Sequence, residues 1–356
     1  MNRIYSLCFC AAIAGSALAT DDTKTDLKVK GWLDLFYQYD LNHSPFGTNL
    51  TGREFDMKAG VFELANAEVN FSYSTKGLPF SIVMDLGLGR NVQVNNGLDG
   101  NNNHRNQIFQ QAYLSMPFKD GSTLDFGKFN TWIGPESVYT VDNTNYSLGT
   151  LFWYAQPNWH VGGRYTKPLS SSTTATFYVV NGWNETIDSN HSKTLGLSLA
   201  KTVNKKLSAT LSYIGGKEGT NGIGLPTAGQ SDVHMGDLIA TYAVSDKHSL
   251  MLNADYASAA GANSGHFYGY SLYSNHKLSD KNDLSFRFST VKDPQNLRGA
   301  QGSINSWTGT FNMKSSENTT WRLEFRLDQA SSNLFETSGA PKNNRSTITI
   351  AHVIRF

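Results

Sequence analysis

Apolar and polar residues alternate along most of this chain with a period of two. Between 27 and 41, Leu27, Val29, Leu33, Leu35, Tyr37 and Tyr39 fall on one parity, and Lys28, Lys30, Asp34, Gln38 and Asp40 fall on the other. A strand so patterned has one apolar and one wet face. The pattern recurs at 61–75, where Ala65, Ala67, Val69, Phe71 and Tyr73 oppose Asn66, Glu68, Asn70 and Ser72, and again at 79–89. Further strands are predicted at 107–116, 123–129, 158–166, 174–183, 194–203, 206–214, 237–244, 249–257, 266–278, 283–291, 304–313, 320–328 and 347–356. The total is about sixteen, an even count of the kind that closes a single-chain barrel.

The connections alternate in length. Tight polar turns such as Lys119-Asp120-Gly121, Asn204-Lys205, Ser245-Asp246-Lys247 and Ser279-Asp280-Lys281 take turns with long Gly- and Asn-rich segments at 42–60, 90–104, 130–157, 184–192, 215–235, 293–302 and 329–344. Counted back from Phe356, every tight turn falls at one end and the long loops at the other, with 258–265 a short exception. The nine prolines sit in loops, in turns or at strand ends, where a missing N–H costs the ladder nothing. No linker divides the chain, so residues 20–356 are expected to form one domain.

Composition decides what the apolar faces cover. Only 39% of residues are hydrophobic, and after residue 19 no apolar run approaches the length of a spanning helix. In 321–328 one row reads Trp, Leu, Phe, Leu and the other Arg, Glu, Arg, Asp. Four charges on one strand face would carry a large desolvation cost in an apolar core, but they can face water inside a barrel whose outer wall meets lipid. The expected fold is therefore all-β: a transmembrane antiparallel up-and-down barrel. Tyr37, Tyr39, Tyr73, Trp159, Tyr165, Tyr213, Tyr256 and Trp321 are placed to form its interfacial girdles.

Segment 1–19 has a basic start at Arg3, an apolar run and Ala17-Leu18-Ala19, the small-x-small pattern of a cleaved signal peptide. Both cysteines, Cys8 and Cys10, lie inside it, so neither a disulfide framework nor a lipid anchor is expected. Lys+Arg number 30 and Asp+Glu 29, a balance that gives no reason to expect nucleic acid as a partner. Losing Arg3 with the leader would make the two equal.

Taken together, the chain resembles a Gram-negative outer-membrane porin, and is more similar to the OmpL-like β-barrel porins than to the trimeric general porins. The residues that carry the resemblance are Gln111-Ala-Tyr-Leu114, Phe126-Gly-Lys-Phe129, Tyr154-Ala-Gln-Pro-Asn-Trp-His-Val-Gly-Gly-Arg164, Val180-Asn-Gly-Trp-Asn184 and the terminal Phe356. The resemblance implies a water-filled channel in the outer membrane for passive diffusion of small hydrophilic solutes and ions, without cofactor or metal. It also implies lipid contacts, recognition of Phe356 by the barrel-insertion machinery, and a homotrimer of the kind general porins form.

In the resembling porins the long loop after the fifth strand folds inward as a constriction, which here is 130–156, with Glu136 and Asp142. Strand parity supplies candidate wall charges. Lys28, Lys30, Arg164, Arg287, Arg322 and Arg326 are basic, and Asp34, Glu68, Asp85, Asp125, Asp255, Glu324 and Asp328 are acidic. Opposed signs across a constriction would orient dipolar solutes. Lys128 breaks parity and is expected to turn inward through a bulge after Gly127. Two rival functions stay open: a non-conducting structural or adhesive barrel, and an outer-membrane enzyme. For the enzyme, the nine histidines are scattered and no nucleophile motif appears; His160 reads as a satisfied wall histidine.

Overall fold

The computed structural model describes residues 25–75, 78–99, 108–219, 223–226 and 229–356; the expected leader lies outside them. Sixteen strands follow one another: β1 (Thr25–Asp40), β2 (Phe62–Thr75), β3 (Ser81–Leu88), β4 (Phe109–Pro117), β5 (Thr123–Asn130), β6 (Trp159–Ser170), β7 (Thr173–Val180) and β8 (Thr194–Thr202). Then come β9 (Leu207–Glu218), β10 (Ser231–Ser245), β11 (His248–Gly261), β12 (Gly265–Lys277), β13 (Asn282–Asp293), β14 (Gly302–Lys314), β15 (Thr319–Ala330) and β16 (Asn344–Arg355). Each pairs antiparallel with the next, and β1 pairs with β16 from Trp32↔Arg355 to Asp40↔Thr347, closing the ring. Closure satisfies every ladder without leaving an edge, which a lipid surround requires.

The period-two rows sort as the sequence pattern demands. Between β14 and β15, Trp307↔Leu327, Gly309↔Phe325 and Phe311↔Leu323 form an outward apolar row. Ser306↔Asp328, Thr308↔Arg326 and Thr310↔Glu324 form the inward polar row between them. Phe325 is 49% exposed and Arg326 only 1%. Of the expected girdle residues, Trp159 is an exception. It is fully buried, and its indole N–H donates to Asn95 O at 2.9 Å, beneath a short helix, α1 (Arg90–Gly97).

Several strands run further than their periodicity suggests, β6 to Ser170 and β11 to Gly261 among them. β9 reaches Glu218 and β10 begins at Ser231, inside the expected loop 215–235. At this end of β9–β12 the inward residues are apolar, including Ile214, Val233, Met235, Ala257, Ala259 and Phe267. They pack against Ile133, Leu151 and Ala155 of the connection between β5 and β6, so the usual pattern is inverted there.

That connection, 131–158, does not stay at the rim. It carries a 3-10 turn (Thr140–Asp142) and a short helix, α2 (Thr150–Ala155). α2 touches β11, β12, β13 and β14. A second apolar cluster joins Val138, Tyr139, Val141, Leu148 and Phe152 of this loop to Phe55 of the first long loop and Val353 of β16.

Candidate functional site

The inner loop leaves β5 and crosses the lumen to the opposite wall. Near its start, Trp132 stacks on Tyr178 with centroids 3.8 Å apart and planes 10° apart, and its indole N–H reaches Tyr213 O on β9 at 3.3 Å. Glu136 Oε1 then meets Arg287 Nη1 of β13 at 2.5 Å, and its Oε2 accepts the Gly149 N–H at 2.8 Å just before α2.

The loop's tip reaches down to β1, β15 and β16. Tyr139 donates its hydroxyl to Asp85 Oδ2 at 2.6 Å and sets its ring edge against Trp32, 4.9 Å between centroids. Asp34 accepts the hydroxyls of Thr140 and Tyr146, the latter at 3.2 Å. From the far wall Arg322 donates to Thr140 O at 2.8 Å, and Glu324 takes the backbone N–H groups of Tyr146 (2.6 Å) and Ser147 (3.1 Å). Arg326 donates to Leu148 O at 2.6 Å and Arg287 to Ser147 O at 2.5 Å. Asp255 receives Gln156 at 2.6 Å, near the loop's end.

Buried arginines concentrate on one side of the wall, with Glu324 and Asp328 of β15 set among them. Asp34, Glu68, Asp85 and Asp125 stand on β1, β2, β3 and β5, whereas Arg287, Arg322, Arg326 and Arg345 stand on β13, β15 and β16. A loop that spans between the two walls offers hydroxyls and N–H groups to the carboxylates and carbonyls to the guanidiniums. Asp34, Asp85, Glu324, Arg287, Arg322 and Arg326 each receive from it a hydrogen-bonding partner of the right polarity, as burial requires.

A family model for OmpL-like β-barrel porin-2 proteins matches residues 26–356. The chain belongs to that porin family. The short-turn end of this porin is accordingly its periplasmic side, and the long loops are extracellular. It sits in the outer membrane as a channel. Among solved structures, the porin is similar to an anion-selective porin from Comamonas acidovorans, with a TM-score of 0.62, 12% identity, and coverage of 94% of this chain and 100% of that one. The outer-membrane channel DcaP of Acinetobacter baumannii gives 0.61 at 10% identity, covering 93% and 97%. A trimer form of Vibrio cholerae OmpT gives 0.61 at 10% identity, covering 93% and 99%. At these identities the likeness is one of fold. No curated protein matches the porin by sequence.

Most of the charges expected on the porin's inner wall do face inward, but they differ from expectation in what they face. Arg287, Arg326, Asp34, Glu324 and Asp328 are buried under loop atoms instead of lining open water. The reason is the loop itself, whose backbone polar groups take the place of solvent. Arg164 and Asp125 pair with each other at 2.6 Å, and Arg164 lies over the Tyr113 and Phe129 rings. Asp142, at the loop tip, pairs at 3.4 Å with Arg355, a residue not foreseen.

Lys128 is buried beneath α1 and reaches that place without a bulge. β5 keeps unbroken register with both neighbours through Ala112↔Lys128 and Lys128↔Val161, so the expected bulge is absent and Asp125 and Lys128 lie on alternate rows. The ammonium sits 4.0 Å over the Trp159 ring and donates to Phe109 O at 2.8 Å, tucked beside α1. Lys28 and Lys30 are exposed on the part of β1 that extends past its last β16 pair, at the periplasmic rim. His160 is a satisfied wall histidine, with Nδ1 2.9 Å from Gly182 O and Nε2 3.2 Å from Thr131 Oγ1.

Strand parity missed a buried network around Asp328. Its carboxylate meets Arg326 at 2.8 Å, Arg53 at 3.2 Å and Arg345 at 3.4 Å, and Arg53 also binds Asp56 at 2.6 Å. Arg345 continues the inward row of Thr347 and Thr349 and was legible in that sense. Arg53 and Asp56 lie in an irregular loop, where no periodicity exists to read. Neighbouring Glu54 is fully buried; burial, opposed by a hydrogen bond from Asn158, pushes its carboxyl up to about 8.

Proposed function

We propose that this porin passes small hydrophilic solutes and ions along a lumen whose cross-section is set by the inner loop, with segment 130–156 as the constriction. The observation that carries this is the loop's anchorage: Glu136, Tyr139, Tyr146, Ser147 and Leu148 are each held by a named charge on the wall. A loop held from several strands is a fixed element of the channel, and family membership supports permeation over catalysis.

The assembly we infer is a homotrimer. Strands β3, β4 and β5 have 8, 9 and 8 residues against 15 in β10, which makes one side of the wall short. A short wall suits contact with neighbouring barrels, and the OmpT trimer shares the fold. Cross-linking of membrane-embedded protein tests the trimer.

Single-channel recording in planar bilayers tests the channel. Stable ohmic steps are expected, and removal of residues 139–148 should raise the step size. Persistent silence from correctly folded protein would favour a structural barrel.

A further inference from the structure

A cavity of about 300 Å³ opens at the periplasmic end, beneath the tip of the inner loop and against β10–β16. That is room for about ten water molecules at liquid density. Five cationic side chains line it: Lys247, Lys277, Lys314, Arg322 and Arg355. They come from five places around the wall and converge because Lys277, Lys314, Arg322 and Arg355 occupy inward positions at the periplasmic ends of β12, β14, β15 and β16, with Lys247 in the adjoining β10–β11 turn.

Four carboxylates stand against these five cations, and they leave two of the lysines without a contact partner. Asp246 and Asp283 are the acidic residues of the lining. Asp280 pairs with Lys277 at 3.0 Å and also feels Lys247 and Lys314 from beyond contact distance, and Asp142 pairs with Arg355 at 3.4 Å. Among the described residues, Lys247 and Lys314 have no carboxylate within ion-pair distance. Arg322, 7% exposed, spends its two Nη groups on Thr140 O and Val141 O, and its Nε has no partner among the described residues. Two ammonium groups with no carboxylate in contact, beside three further cations, are a donor set for an oxygen-rich anion.

We propose that this vestibule is a binding site for a small multivalent oxyanion of the phosphate class, and that it biases the channel toward anions at its periplasmic mouth. The proposal deepens the channel function and rests on it. Cations spaced around a cavity favour two or more negative charges on one compact ion over chloride. Their partial exposure makes the site sensitive to ionic strength. The tip residues Asn143 and Thr144 form part of the lining, so an occupying anion would sit directly under the constriction.

The site is tested on the folded, detergent-solubilised protein by isothermal titration with inorganic phosphate at low salt. Binding is expected, and the double variant Lys247→Gln/Lys314→Gln should weaken it roughly tenfold, given the modest worth of each exposed charge. Lys201→Gln, on an exposed position of β8 outside the vestibule, should leave it unchanged. No binding, or equal binding by the double variant, would overturn the site. In bilayers the same double variant should shift the reversal potential in a potassium chloride gradient toward cations; an unmoved potential would overturn the selectivity role. Titration does not depend on conduction. Silent protein that still binds phosphate would therefore count against the channel alone, and a conducting protein that does not bind would count against the site alone.

Discussion

Arg287 of β13 and Glu136 of the inner loop form an ion pair of 2.5 Å, with the arginine fully buried and the glutamate nearly so. The pair is one corner of a larger clasp. The same guanidinium reaches Ser147 O at 2.5 Å and Thr308 Oγ1 at 3.0 Å, while Glu136 steadies Gly149 at the start of α2. Two separate parts of the loop are thus fastened through a single wall residue.

Arg287→Gln should release this clasp. Removing one partner leaves a buried carboxylate without its countercharge, at a cost of about 3–5 kcal/mol. The expected result is faster tryptic cleavage within 131–158 and larger, noisier single-channel steps. Arg287→Gln combined with Glu136→Gln should recover much of the loss. Equal behaviour of the single and double variants would show that the charge pair does not hold the loop.

Glu54 predicts a pH dependence. Its folded-state value of about 8 lies above its ordinary value of 4.5 because burial disfavours the charged form. A raised acid stabilises the docked loop fully below about 4.5, and that contribution is lost as pH rises through about 8. Amide exchange at residues 50–57 should therefore accelerate between these values beyond its intrinsic pH dependence. Glu54→Gln should abolish the excess.

At the seam, Gly31 and Phe356 exchange backbone hydrogen bonds of 2.8 and 2.9 Å. A side chain at Gly31 would run into the Phe356 ring and the Glu68 carbonyl, so only glycine lets the terminal aromatic lie across β1. Gly31→Val should lower the yield of closed barrel, read as the loss of the compact band in an unheated gel. A full compact band would show that the ring can move aside at little cost.

On the outer wall, Phe325→Arg places a charge in the lipid-facing row and should destabilise the folded barrel by about 2–4 kcal/mol if it lies near the bilayer midplane. Urea titration in lipid vesicles measures it. A loss well under this range would place Phe325 close to an interface.

Much of this was legible in order along the chain. The period-two rows of 27–41 and 321–328 assigned Asp34, Arg322, Glu324, Arg326 and Asp328 to the inner face, and the pairings agree. Legibility failed where periodicity failed. α1 has no helical signature in the sequence because 90–97 is Asn-rich with two valines as its apolar residues, too few to make a stripe. The extracellular parts of β9 and β10 were cut short because their inward residues are apolar and pack on the inner loop, so the contrast between faces disappears.

Local physics, then, determined the strands, their count, the end that bears the long loops and the side each wall charge takes. Those follow from the pleat and from the absence of hydrogen-bonding partners in lipid, which act on every residue independently of its distant neighbours. Tertiary structure alone decided what those charges meet. That Arg287 would find Glu136, that Asp328 would gather Arg53, Arg326 and Arg345, and that Lys128 would lie beside α1 depend on where irregular loops fold. Loop paths are set by contacts between residues far apart in sequence, and no short-range pattern encodes them.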